Sequence, residues 1–270
     1  MYDINYKIAL IDLNQIKRPH FQIPLDPQSP CFADPLVNLA AYGLPFLSWH
    51  AVADGSNPPY CKPIAGSRQE GWLRKTIAEK LQRANELLRP FDAELLILDA
   101  YRNIECQRGL WEYFTARGRQ ENPNATEEEV RLYAEGYIRN PTHFDPLDAR
   151  TFPIHITGAS IDVTLRRRSS GQWLNMGTIF EEIIPAAATD YFERQLLQGL
   201  IDENDERLWN RRLLQWALHS ENFTNDPIYF WHYDWGNQLW IKVKNTLYGD
   251  APAAAWYGHI DPPAWGVAAN

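Results

Sequence analysis

From Trp72 onward apolar residues recur at steps of three and four, at Leu73, Ile77, Leu81, Ala84 and Leu88, with Arg, Lys, Glu and Gln between them. That period marks one buried helical face, so an amphipathic helix is predicted from Trp72 to a stop at Pro90. The run AELLILDA at 93–100 is apolar and of strand length, and a second helix is predicted over Glu105 to Arg117. Thr126 followed by Glu129 is a capping-box pattern, after which Val130, Tyr133 and Tyr137 share one face of a third helix. In HITGASIDVTL the period becomes two: Ile161, Val163 and Leu165 face the core, while Ser160, Asp162 and Thr164 face the other way. A further helix at about 206–219 turns Trp209, Leu213 and Trp216 inward and leads to the aromatic, strand-like stretch PIYFWHYDWG at 227–236.

The flanks read differently. The first 70 residues are rich in proline and turn formers (RPHFQIPLDPQSP, GSNPPYCKP), which interrupts both periods and predicts an irregular N-terminal wrap. The tail after Asn245 (APAAAWYG, DPPAWG) reads as an extended appendage. With no internal repeat and no linker, the expectation is a single α+β domain over 1–270. Its core at 71–245 is a small, mainly antiparallel sheet flanked by helices.

Charge and cysteine usage narrow the function. Acidic residues outnumber basic ones by 34 to 26, a net charge of -8 that argues against a nucleic-acid partner. The one basic cluster, Arg166 to Arg168, reads as a turn. The three cysteines, Cys31, Cys61 and Cys106, are widely spaced and odd in number, so they suggest neither a disulfide framework nor a zinc knuckle. Cys106 reads as a packing residue on its helix. No run is long and apolar enough for a membrane span and no leader pattern opens the chain, which predicts a cytoplasmic protein without a membrane partner.

HExxH, GxGxxG, phosphate-loop and GxSxG patterns are all missing. What remains is His155 and Asp162, seven apart across the start of a strand, and His232 on a second strand-like segment. Two imidazoles and a carboxylate leave one position open on a tetrahedral zinc, the layout of a catalytic site. Arg102, in LDAYR, can hold an oxyanion or a carboxylate bidentately, or else pair locally with Asp99. His143 is the histidine nearest the site in sequence, either a substrate contact or a loop residue. His20, His50, His219 and His259 have no partner spacing. Trp231 and Trp235 flank His232 and are candidates for shaping a pocket.

Four separated motifs, LDAYR, HxxGxSxDVTL, NMGTIFEE and WHYDWG, occur in the order found in the D-Ala-D-Ala dipeptidases, zinc peptidases known from vancomycin resistance. The chain resembles that family over about residues 70–240. The resemblance implies that His155, Asp162 and His232 bind zinc, and that Arg102 stabilises the negative oxygen formed when water attacks a peptide carbonyl. It also exposes a departure. The family's Glu-Trp-Trp-His motif supplies the general base, and here the matching residues are Tyr229, Phe230, Trp231 and His232.

A tyrosine is a poor proton acceptor near neutral pH but can donate a hydrogen bond or a proton, so Tyr229 is a candidate acid. Glu221, Asp226 and Asp234 are other acids near this segment. Asp234 reads better as an acceptor for nearby N–H groups. The reading that follows is a zinc-dependent hydrolase of a dipeptide or dipeptide-like amide with an atypical base. Two histidines and an aspartate also suit Fe2+. A lyase, isomerase or oxygenase acting on an amino-acid-derived metabolite is therefore an alternative, as is a degenerate binding protein.

Overall fold

A computed structural model describes residues 6–12 and 19–262; the remainder of the predicted wrap and tail lies outside the described residues. Strands β1 (Leu36–Asn38) and β2 (Trp72–Arg74) form a small antiparallel pair. Helix α1 (Lys75–Leu88) follows, then β3 (Ala93–Asp99), α2 (Ile104–Glu121) and α3 (Glu127–Glu135). Next come β4 (Ser160–Arg167), α4 (Tyr191–Leu197), α5 (Glu206–Ser220), β5 (Thr224–Asn225), β6 (His232–Asp234) and α6 (Gln238–Leu247). The main sheet has the order β3-β4-β6-β5, antiparallel throughout, with helices packed around it. This is the expected α+β architecture.

The helix predicted from Trp72 starts three residues later. Trp72, Leu73 and Arg74 pair with β1 instead, because distant partners hold them extended. Arg74 is buried and donates to the carbonyl oxygens of Asp34, Thr157 and Gly258, while the Asp34 carboxylate accepts the Thr76 N–H at 2.9 Å and so caps the first turn of α1. Beyond that point Ile77, Leu81, Ala84 and Leu88 are fully buried, as their spacing requires. The capping box at Thr126 and Glu129 forms as expected. In α5, Leu213 and Trp216 are buried, whereas Trp209 is half-buried.

On β4, Ile161, Val163 and Leu165 are fully buried, and the alternate residues Ser160, Asp162 and Thr164 are buried as well. On this second face Asp162 lines a cavity, while Ser160 is hydrogen-bonded to Asp234 and Asn237. Arg166 and Arg167 finish β4 rather than forming a turn, which starts at Arg168. The C-terminal segment is packed, not appended. After α6 it returns to the body, where Ala255 bridges to Leu25, and Ala255 and Tyr257 have no exposure at all. Among the described residues, no helix is long and apolar enough to cross a membrane.

Candidate metal centre and cavity

The register of the main sheet builds the site. Asp99 on β3 is paired with Asp162 on β4, and Asp162 with His232 on β6. On the far side Thr224 pairs with Asp234 and Asn225 with Tyr233. The Asp226 N–H donates to the His232 carbonyl oxygen at 2.9 Å, which continues the register by one residue and sets Asp226 opposite His232. Residues at one level of adjacent antiparallel strands project to the same face. Asp99, Asp162, His232 and Asp226 therefore stand in one row across four strands.

His155 enters this row from the turn before β4, Ile154–Thr157, which closes at Gly158 with φ of 67°. A side chain there would be strained, and its Cβ would meet Leu36 Cδ2 at 2.6 Å. His155 Nδ1 lies 2.9 Å from the Ala100 carbonyl oxygen, which leaves Nε2 facing Asp162 Oδ2 at 3.4 Å. His232 is held in the complementary sense, with Nε2 3.1 Å from Asp234 Oδ2 and Nδ1 2.9 Å from Asp162 Oδ1. Asp234, fully buried, also accepts from Ser160 Oγ at 2.6 Å and Asn237 Nδ2 at 2.7 Å. It sits behind His232, and its partners are side chains rather than the backbone or tryptophan N–H groups expected for it.

One ligand atom from each of His155, Asp162 and His232 lies within 4.8 Å of the others, the one such group among the described residues. Two donors each about 2.0 Å from a tetrahedral zinc stand about 3.3 Å apart, so the Asp162 contacts to both imidazoles suit a shared cation. Each ring has its outer nitrogen anchored on a carbonyl or a carboxylate, the usual arrangement behind a metal-bound histidine. Burial lowers the pKa of His155 and so favours its neutral form. Burial would lower His232 too, but the carboxylates of Asp234 and Asp162 outweigh it and raise that pKa well above the ordinary value. The residues fit a divalent metal.

Arg102 lies beside this centre. Its Nε and Nη2 donate to Asp99 Oδ2 at 2.9 and 2.5 Å, its Nη1 donates to Gln107 Oε1 at 3.1 Å, and Nη2 is 3.9 Å from Asp162 Oδ2. The local pairing with Asp99 and the orientation toward the site are thus one arrangement. Asp99 is buried, which alone would raise its pKa. Arg102, His155 and His50 reverse that and hold it well below the carboxylate range.

A cavity of about 180 Å³ opens over the row, lined by Arg102, His155, Asp162, His232, Glu181, Asp226 and Tyr229, with Tyr60, Phe114, Ile138, Ile183 and Trp231 among its apolar walls. Tyr229 and His232 would face opposite ways in a regular strand, but β6 begins only at His232. A turn precedes it, closed by the His232 N–H donating to the Tyr229 carbonyl oxygen at 3.2 Å. The Tyr229 ring stacks on Trp231 at 5.1 Å, and burial, with Asp226 and Glu181 adding to it, pushes the phenol up to about 12. Burial also raises the carboxyl of Asp226 above its ordinary value.

Several expectations change here. Trp235 packs against Trp240, Trp256 and Tyr257, away from the cavity, so only Trp231 of the two flanking tryptophans shapes it. His143 lines a separate depression with Arg131 and Glu135. Glu221 pairs with Arg83 at 2.8 Å, outside the cavity. His50 was missed. It is buried between Asp99 and Glu181, with Nδ1 3.7 Å from Asp99 Oδ1 and Nε2 3.5 Å from Glu181 Oε1. Burial opposes its protonation, yet Asp99 and Glu181 raise it to about 9. Glu181 was visible only as part of NMGTIFEE; its φ of 65° is unusual for a residue with a side chain.

The profile of the D-ala-D-ala dipeptidase family matches residues 68–250. A D-alanyl-D-alanine dipeptidase of Synechocystis sp. is 27% identical over 256 residues, covering 90% of this chain and 97% of that protein. Two solved structures are more distant. VanYB in complex with D-alanine-D-alanine has a TM-score of 0.39 and 14% identity over 67% of this chain and 80% of its own. A mutant of the vancomycin resistance D,D-pentapeptidase VanY in complex with Zn(II) has a TM-score of 0.34 and 16% identity, over 67% and 82%.

Proposed function

Because the chain belongs to the D-ala-D-ala dipeptidase family and is a hydrolase, we propose that it is a zinc-dependent hydrolase of a dipeptide or a small dipeptide-like amide. The observation that carries this reading is the convergence of His155, Asp162 and His232 within 4.8 Å on the cavity wall, each imidazole anchored from behind. These three residues would hold the metal. When bound, zinc supplies a Lewis acid and makes a water acidic enough to react near neutral pH.

The chain's own residues supply the rest. Asp99 and Gln107 fix the Arg102 guanidinium, which presents positive charge where the carbonyl oxygen becomes negative during attack. The Tyr229 hydroxyl, raised to about 12, stays protonated and serves as a donor to that oxygen or to the departing nitrogen. The apolar walls exclude water and accept small side chains. The lyase, isomerase, Fe2+ oxygenase and binding-protein alternatives draw no support from the family.

The test is hydrolysis of a panel of L,L, L,D and D,D dipeptides by zinc-loaded protein, alongside a His155→Ala variant whose metal content is measured. Cleavage that disappears with the metal in His155→Ala supports the reading. A zinc-replete protein that cleaves no member of the panel overturns it.

A further inference from the structure

The glutamate that this family carries as its base is missing, yet the cavity keeps acids beyond the ligand Asp162. We propose that Asp226 is the catalytic base and takes the part of the absent glutamate at position 229. The inference rests on the hydrolase reading above and deepens it.

Placement argues for Asp226. The continued register of β5 with β6 sets it directly across from His232, on the same face and the same row as the ligand Asp162. It lines the cavity with the three ligands. Cross-strand neighbours have Cβ atoms roughly 4.5–5.5 Å apart, so a group one strand from His232 is within a side chain's reach of whatever His232 holds. Asp226 Oδ1 accepts the Ile228 N–H at 2.7 Å, which fixes the carboxylate at the start of the turn that carries Tyr229. Among the described residues no Lys, Arg or His side chain lies within ion-pair distance of Asp226, which faces the cavity.

The competing acids are committed. Glu181 lines the cavity too, but its Oε1 lies 3.5 Å from the buried imidazole of His50. Asp234 is enclosed by His232, Ser160 and Asn237, with no exposure. Glu221 is outside the cavity and paired with Arg83.

The step balances. Water oxygen bonds to the peptide carbonyl carbon while Asp226 takes one water proton. The carbon–nitrogen bond then breaks as Asp226 returns that proton to the departing nitrogen. The new carboxyl group loses its remaining proton to the freed amine. The products are a carboxylate and an ammonium, and Asp226 ends as it began.

The experiment compares zinc-loaded wild type with Asp226→Asn, Asp226→Asn combined with Tyr229→Glu, and Glu181→Gln. Two quantities are read: turnover of a dipeptide, and proton uptake when a non-hydrolysable phosphinate dipeptide binds, by calorimetry in buffers of different ionisation enthalpy. Asn keeps the acceptor for the Ile228 N–H, so the turn survives. Expected for Asp226→Asn is a kcat roughly 100- to 10,000-fold lower at unchanged KM and zinc content, with proton uptake falling from about one to none. Adding Tyr229→Glu should recover the proton uptake and only part of kcat, since the Tyr229 donor is lost with it. Wild-type turnover and proton uptake in Asp226→Asn overturn the assignment, as does a comparable loss confined to Glu181→Gln. If wild type cleaves no peptide but takes up a proton through Asp226 on binding the phosphinate, the hydrolase reading fails and the base assignment stands.

Discussion

Arg102 and Arg211 are both largely covered guanidinium groups, held by opposite kinds of partner. Arg211, on α5, donates to the carbonyl oxygens of Met176 at 2.9 and 2.7 Å, Ala186 at 2.8 Å and Ala188 at 3.1 Å, and lies 3.5 Å over the Phe230 ring. Carbonyls satisfy its hydrogen bonds without balancing its charge, so burial pulls its pKa down to about 9. Arg102 is less enclosed, keeping 10% of its side chain exposed on the cavity wall. Burial would lower it too, but the Asp99 carboxylate prevails and raises its pKa above the ordinary value. One arginine is a clamp that ties the loop carrying Glu181 to a helix. The other is a charge, oriented and kept at the cavity. The partner, more than the burial, decides which way each guanidinium is shifted.

That contrast can be broken by substitution. Arg102→Lys keeps a positive charge but loses the fork on Asp99. It should lower kcat on the order of 100- to 1,000-fold while the melting temperature barely moves, as steady-state kinetics beside calorimetry would show. Arg211→Met does the reverse. It leaves the carbonyls of Met176, Ala186 and Ala188 without their donor, and urea unfolding should show about 3 kcal/mol of lost stability with turnover per folded molecule retained.

A smaller effect sharpens the comparison at the ligands. Asp234→Asn weakens the anchor behind His232 and should reduce zinc affinity 10- to 100-fold in a chelator competition. The smallest effect concerns His50. Its folded value of about 9 lies above the ordinary 6.5, so its contribution to stability is complete below about 6.5 and is lost as pH rises through about 9. Melting temperature against pH should therefore fall across that window in wild type, and more weakly in His50→Gln.

How much of this could be read from the residues depends on distance along the chain. The β3 and β4 segments, the box at Thr126 and the approach of His155 to Asp162 are local, and period or spacing exposes them. The start of α1 is not. Asp34 and the carbonyl partners of Arg74 decide it from remote positions, and the apolar spacing fits Leu73 equally well in a strand. Asp226 was visible as an acid near the final strand, but its place opposite His232 exists only once β5 and β6 are in register. His50 gave no local signal because both its partners, Asp99 and Glu181, are far away in sequence. The fate of Trp235 turned on the returning C-terminal segment, which composition alone presented as loose.

That returning segment also bears on the order of events during synthesis. Arg74 donates to the Gly258 carbonyl oxygen, and Tyr257 fills a fully enclosed place beside it. Residues 255–258 leave the ribosome after nearly everything they cover. Until they emerge, β2 and the start of α1 lack one of their fastenings, so this part of the nascent chain reaches its final packing only after residue 258 has left the ribosome.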